Sequence, residues 1–225
     1  MKAIRSCQNL ISLNTLCFLV LISVAGLKAN CQEVNLKEYC IVGYYGKSAL
    51  DNFKLPFIIT FGENSSVEKM ESDGRTHAGK FNVLNGNIRI DYGGDQTEDF
   101  KMNGLNLLPK LSRTFAMLQK IPYSNAFKGN RYTGILFKQR STAAVKTTYH
   151  FIADKYGVAE EEHSGTPFND YTIIGNLAGY RREGIKSRRS FSFFVLYGTQ
   201  LLVINNFKNP YEGSTYGTLA QVALK

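Results

Sequence analysis

The stretch Gly79-Lys80-Phe81-Asn82-Val83-Leu84-Asn85-Gly86-Asn87-Ile88-Arg89-Ile90-Asp91-Tyr92 decides the fold class. On either side of Asn85-Gly86, apolar and polar residues largely alternate, the period-two signature of a half-buried strand. Both central positions of a type I′ turn need positive φ, and Asn-Gly supplies it at least steric cost. The stretch therefore predicts an antiparallel hairpin.

Similar runs extend in both directions. Val, Ile, Thr, Tyr and Phe concentrate at 39–45, 56–61, 66–71, 133–138, 147–153, 170–175, 190–196 and 200–205, and these residue types suit a pleated surface. Tyr197-Gly198-Thr199 predicts a second hairpin, and Gly93-Gly94-Asp95 reads as a turn. Many short strands at even spacing predict an all-β, mainly antiparallel fold, a barrel or a sandwich. One segment breaks the pattern. Pro109 suits the first turn of a helix, and Leu108, Leu111, Phe115, Leu118 and Ile121 follow at intervals of three or four, predicting one mid-chain helix that plugs or flanks the barrel.

A weak internal echo spans about ninety residues. Val67-Glu68-Lys69-Met70-Glu71, Gly74, Phe81-Asn82-Val83 and Gly86-Asn87-Ile88 are answered by Val158-Ala159-Glu160-Glu161-Glu162, Gly165, Tyr171-Thr172-Ile173 and Gly175-Asn176-Leu177. The echo reads either as duplication of a four-stranded unit or as two hairpins solving one geometric problem. The expected organisation is a leader over 1–31 and one barrel-like domain over 32–225, which a duplication would divide into halves at about 39–125 and 132–225.

The 225 residues are 44% hydrophobic and 20% charged, with 20 Gly and 5 Pro, which excludes collagen-like, low-complexity and wholly disordered chains. Lys2 and Arg5 precede an uncharged apolar run over 16–26, too short to span a bilayer as a helix and suited to a secretory signal. The mature protein is expected to be secreted or extracytoplasmic (periplasmic in a bacterium) and not integral to the membrane. The chain carries 27 basic and 18 acidic residues. Lys2, Arg5 and Lys28 fall in the leader and no acid precedes Glu33, so 24 bases against 18 acids remain, a net of +6.

Cys7 and Cys17 lie in the leader. Cys31 and Cys40 would form a disulfide if both survive processing in an oxidising compartment; a cut after Cys31 would leave Cys40 alone and buried. Asn64-Ser65-Ser66 is a glycosylation sequon in a polar turn, which marks Asn64 in a eukaryotic secretory route.

Little else carries chemistry. His77, His150 and His163 lack partners at diagnostic spacing, and the acidic run before His163 reads as a solvated loop rather than a metal site. No nucleophile elbow, zinc-protease helix or phosphate loop occurs. The sequence thus assigns no catalytic residue, no metal and no cofactor. An enzyme would need a carboxylate or His gathered into a barrel mouth. The strongest signal outside the core is basic: Arg181, Arg182, Lys186, Arg188 and Arg189, flanked by Tyr180 and Phe191, form a candidate anion site for a glycan or lipid headgroup. Nothing elsewhere supports nucleic-acid binding.

Ile58–Phe61, Gly74, Gly79-Lys80-Phe81, Gly86-Asn87-Ile88-Arg89-Ile90, Phe115-Ala116-Met117-Leu118 and a closing strand from Tyr132 to Phe137 together resemble the META domain over about residues 56–138. That resemblance implies a small β-rich envelope or secreted module and brings no catalytic residues. Gly74-Arg75-Thr76 stands where that family has Gly-Cys-Asn. Val42-Gly43-Tyr44-Tyr45-Gly46 also resembles a lipocalin opening in a chain without Trp. The expected function is a secreted, non-enzymatic β-barrel binding a small apolar ligand or a partner. The rival is an interaction protein docking on anionic surfaces through the basic cluster.

Overall fold

The computed structural model describes residues 35–46, 54–111, 113–139, 143–161, 164–183, 190–207 and 214–223. Residues 1–34, with Cys7, Cys17 and Cys31, lie outside them, as do Glu162, His163, Lys186, Arg188 and Arg189. Among the described residues the fold is all-β and antiparallel, and its helical turns are two short 3-10 turns, Leu36–Glu38 and Glu63–Ser65. No helix among them is long and apolar enough to cross a membrane.

The first eight strands are β1 (Tyr39–Gly46), β2 (Lys54–Phe61), β3 (Ser66–Glu71), β4 (Thr76–Leu84), β5 (Asn87–Asp91), β6 (Thr97–Asn103), β7 (Asn106–Pro109) and β8 (Thr114–Lys120). They form an up-and-down meander that closes when β8 pairs with β1, Leu118 opposite Ile41 and Met117 opposite Val42. The Asn85-Gly86 turn joins β4 to β5 with φ of 51° and 73°, as type I′ geometry requires.

Nine further strands are β9 (Arg131–Lys138), β10 (Ala144–Ala153), β11 (Tyr156–Glu161), β12 (Ser164–Asn169), β13 (Thr172–Ile174), β14 (Ala178–Glu183), β15 (Ser190–Tyr197), β16 (Gln200–Phe207) and β17 (Thr215–Val222). They form one sheet in the order β12-β11-β10-β9-β17-β16-β15-β14-β13, rolled into a half-barrel. Its edge strands β12 and β13 are separated in the chain only by Asp170 and Tyr171, so the backbone links the two edges. The turn between β13 and β14 also contains left-handed residues, Gly175 and Asn176 with φ of 54° and 55°, but it holds three residues where the Asn85-Gly86 turn holds two.

An eight-stranded barrel is just wide enough for side chains to fill its interior. Ile41, Phe57, Ile59, Ile88, Ile90, Phe100 and Leu118 do so, each at most 1% exposed. Cys40, Val42, Ile58 and Met70 point outward from the same strands into a second core, where they meet Phe193, Val195 and Ile204 of the half-barrel. This explains the unbroken apolar run Phe57-Ile58-Ile59: β2 is buried on both faces, so its alternation is hidden. Gly43 is demanded by close approach, since a Cβ there would lie 2.4 Å from the Phe115 carbonyl and 2.5 Å from the Phe57 ring.

The predicted mid-chain helix is absent. Arg113 has φ of 67°, which stops a helix, and Thr114–Lys120 is strand β8. Phe115 and Met117 face out while Ala116 and Leu118 face the barrel core; apolar residues on both faces of a strand imitate helical spacing. The segment that packs into the half-barrel is instead 122–130. Phe127 is fully buried, stacked on Phe151 at 4.9 Å and edge-on to Phe194 at 5.1 Å. Asn125 fixes it: Oδ1 accepts from the Phe127 amide, and Nδ2 donates to the Tyr171 hydroxyl and the Asp154 carbonyl.

Candidate functional site at the barrel mouth

One end of the closed barrel is polar, and strand alternation puts it there. On β3, Val67, Lys69 and Glu71 share the inward face, while Glu68 and Met70 point out. His77 on β4 lies opposite Lys69, and Glu98 on β6 lies opposite Ile90, one hairpin turn from Tyr92. Tyr45 on β1 shares the inward face of Ile41.

These side chains form one network around Lys69, whose side chain is 6% exposed. Its ammonium donates to the Tyr45 hydroxyl and to Glu98 Oε1 at 2.6 Å, and lies 3.1 Å from Glu71 Oε1. Three rings surround the same nitrogen, with the centroids of Tyr45, Phe57 and Tyr92 at 5.1, 5.4 and 5.5 Å. Tyr45 donates to Glu98 Oε1 at 2.8 Å and Tyr92 to Glu98 Oε2 at 3.1 Å. Glu71 Oε2 takes Arg75 at 3.2 Å from the rim and faces His77 Nε2 at 3.6 Å. That nitrogen is the one buried side-chain donor or acceptor among the described residues without a hydrogen-bond partner.

Taking an ammonium and two carboxylates out of water is costly unless hydrogen bonds satisfy what remains. Here two carboxylates, a hydroxyl and three aromatic faces hold one ammonium. Burial first, then the Glu98 charge and the hydrogen bond to Glu98, push the Tyr45 and Tyr92 hydroxyls far above the usual phenol range. Both stay protonated and act as donors. An ammonium gripped by carboxylates is a poor nucleophile, because amine catalysis needs the free base. The network closes the filled barrel.

Beside it opens a cleft of about 230 Å³, lined by Tyr45, Thr97, Glu98, Asp99, Phe100, Pro109, Lys110, Leu111 and Thr114. Its wall joins two carboxylates and one ammonium to the hydroxyls of Thr97 and Thr114 and to apolar Pro109 and Leu111. Among the described residues, no three His, Cys, Asp or Glu side chains gather as a metal ion would require.

The structure does not bring the described members of the basic cluster together. Neighbours on a strand point to opposite faces. Arg181 donates to the Pro167 carbonyl on β12, whereas Arg182 lies over the rings of Tyr180 and Phe191 and donates to the Gly74 carbonyl of the β3–β4 turn. Gly74 has φ of +84°, and a Cβ there would come within 3.0 Å of the Phe191 ring. Arg182 therefore serves the contact between barrel and half-barrel. Cys40 is buried between the two sheets, and burial pushes its thiol up to about 12. Asn64 is exposed, with φ of 53°, in the turn before β3. His150 lies on the face of β10 opposite Tyr149 and Phe151.

No family model, curated protein or solved structure matches this chain.

Proposed function

We propose that this protein is an exported β-barrel binding protein that takes a small ligand in the cleft at its barrel mouth. The filled interior carries this reading. An apolar molecule has no room among Phe57, Ile59, Ile90 and Phe100, so recognition moves to the rim, where the Lys69 network holds Tyr45 and Glu98 in place. The cleft is small against the ~300–1,000 Å³ of ordinary ligand pockets, so it suits a compact molecule or one projecting group of a larger one. Pro109 and Leu111 offer an apolar wall; Glu98 is already paired with Lys69 and Asp99 with Arg89, which leaves Lys110 as the unmatched charge of the lining among the described residues. A compact apolar body with an anionic head fits that lining best.

The test compares 2-phenylethylamine, 2-phenylethanol and phenylacetate, which share a body and differ in head charge. Thermal stabilisation should follow the order acid, alcohol, amine. Thr97→Trp, an exposed position on the cleft wall, should remove the response and leave the melting temperature unchanged. Equal responses to all three probes, or a response surviving Thr97→Trp, would refute the assignment.

A further inference from the structure

Strand β7 and the turns at its two ends carry a leucine at every third residue. Leu105, Leu108 and Leu111 are 54%, 54% and 59% exposed, and Phe115 on the neighbouring strand is 49% exposed. Alternation explains the middle of this stretch. Leu107 and Ala116 turn inward to the barrel core, which leaves Leu108 and Phe115 facing out. The Phe115 ring is fixed by stacking on Tyr44 at 4.8 Å. Leu108 and Phe115 form the crest of a short apolar ridge on the outer face of the β7–β8 ladder, with Leu105 and Leu111 exposed in the turns at the two ends of β7.

Cations flank this ridge. Lys101 lies directly opposite Leu108 on β6, and Lys110 sits between Leu108 and Leu111 in the chain. Both are exposed, and neither makes an ion pair among the described residues. The nearest acid on the same outer face, Asp99, already has Arg89 at 4.0 Å. Exposed leucines and a phenylalanine beside unpaired lysines match an anionic bilayer surface: apolar side chains enter the boundary between headgroups and acyl chains while the ammonium groups meet phosphate. A second copy of the chain fits less well, because it would bring a second set of unpaired lysines into the same contact.

We infer that the Leu105–Leu108–Leu111 ridge, with Phe115, Lys101 and Lys110, docks this protein on an anionic lipid surface. This surface shares Leu111 and Lys110 with the cleft wall, so the variants that test it lie at Leu105, Leu108 and Lys101, outside the cleft. It is tested by co-sedimentation with vesicles of phosphatidylcholine alone and of phosphatidylcholine mixed with phosphatidylglycerol, using variants that share one N-terminus. The unaltered protein should partition onto the anionic vesicles and be released by salt. Leu105→Ser/Leu108→Ser should weaken partition at least about tenfold, and Lys101→Gln about fivefold. Both variants alter exposed side chains outside the cleft, so the phenylacetate response and the melting temperature should stay as they are. Equal partition of all variants, equal binding to neutral vesicles, or no binding at all would overturn the assignment. So would a concentration-dependent dimer in sedimentation velocity that Leu105→Ser/Leu108→Ser dissolves.

Discussion

Replacing Lys69 by Met removes the one ammonium that neutralises the carboxylates at the barrel mouth. Glu98 and Glu71 would remain with side chains 13% and 18% exposed, and Tyr45 would lose a donor to its hydroxyl. Breaking a buried pair by deleting one partner costs ~3–5 kcal/mol, and the partial reach of water at the mouth places this case near the lower figure. For a chain of this size that corresponds to a fall in melting temperature of roughly 6–12 °C. Denaturant unfolding of the single variants Lys69→Met and Glu98→Gln and of the double variant isolates the coupling. The Lys69→Met/Glu98→Gln pair should be less destabilised than the sum of its parts by about 1–3 kcal/mol, because the second change removes a charge the first left unpaired. Single effects that add to within ~0.5 kcal/mol would refute the network as described.

Three further outcomes follow from burial. Burial raises the hydroxyls of Tyr44, Tyr45, Tyr92, Tyr132, Tyr149, Tyr171 and Tyr197 above their value of 10.0 in the unfolded chain. The native state thus holds protons that the unfolded state releases. That stabilisation is complete below pH 10 and is lost as pH rises beyond it. Spectrophotometric titration should show part of the tyrosinate absorbance appearing only with alkaline unfolding; ionisation of all 13 tyrosines in an intact fold would contradict this. The Cys40 thiol, raised to about 12, should resist a disulfide reagent natively and react in denaturant, whereas rapid native modification would mean that the contact between the sheets is open. Gly43→Ala should destabilise by about 1–3 kcal/mol, since its Cβ collides with the Phe115 carbonyl across a closed ladder; an unchanged denaturation midpoint would place β8 elsewhere.

The barrel was legible where each strand has one wet face. Phe81–Ile90 alternates about an Asn-Gly turn because that hairpin turns one side to water, and the structure keeps both features. Reading failed where a strand is apolar on both sides, so β8 imitated a helix, and where too few apolar residues mark the inner face, as in β6 with Glu98, Phe100 and Met102. The mouth was not legible, because Tyr45, Lys69, Tyr92 and Glu98 come from four strands and only barrel closure unites them. One signal was present: Val67 and Lys69 share parity, so a strand that buries Val67 must bury an ammonium and find it partners. Arg181 and Arg182 give the opposite lesson, since adjacent charges on a strand diverge however dense they look in sequence.

The central claim is a solid barrel that binds at its rim. Mapping the phenylacetate contact by amide and methyl chemical shifts tests it most directly. Shifts confined to Tyr45, Thr97, Glu98, Leu111 and Thr114 are the expected result. Shifts centred on the methyls of Ile41, Ile59, Ile88 and Ile90 would contradict it, because they would place the ligand inside a barrel that has no room for one.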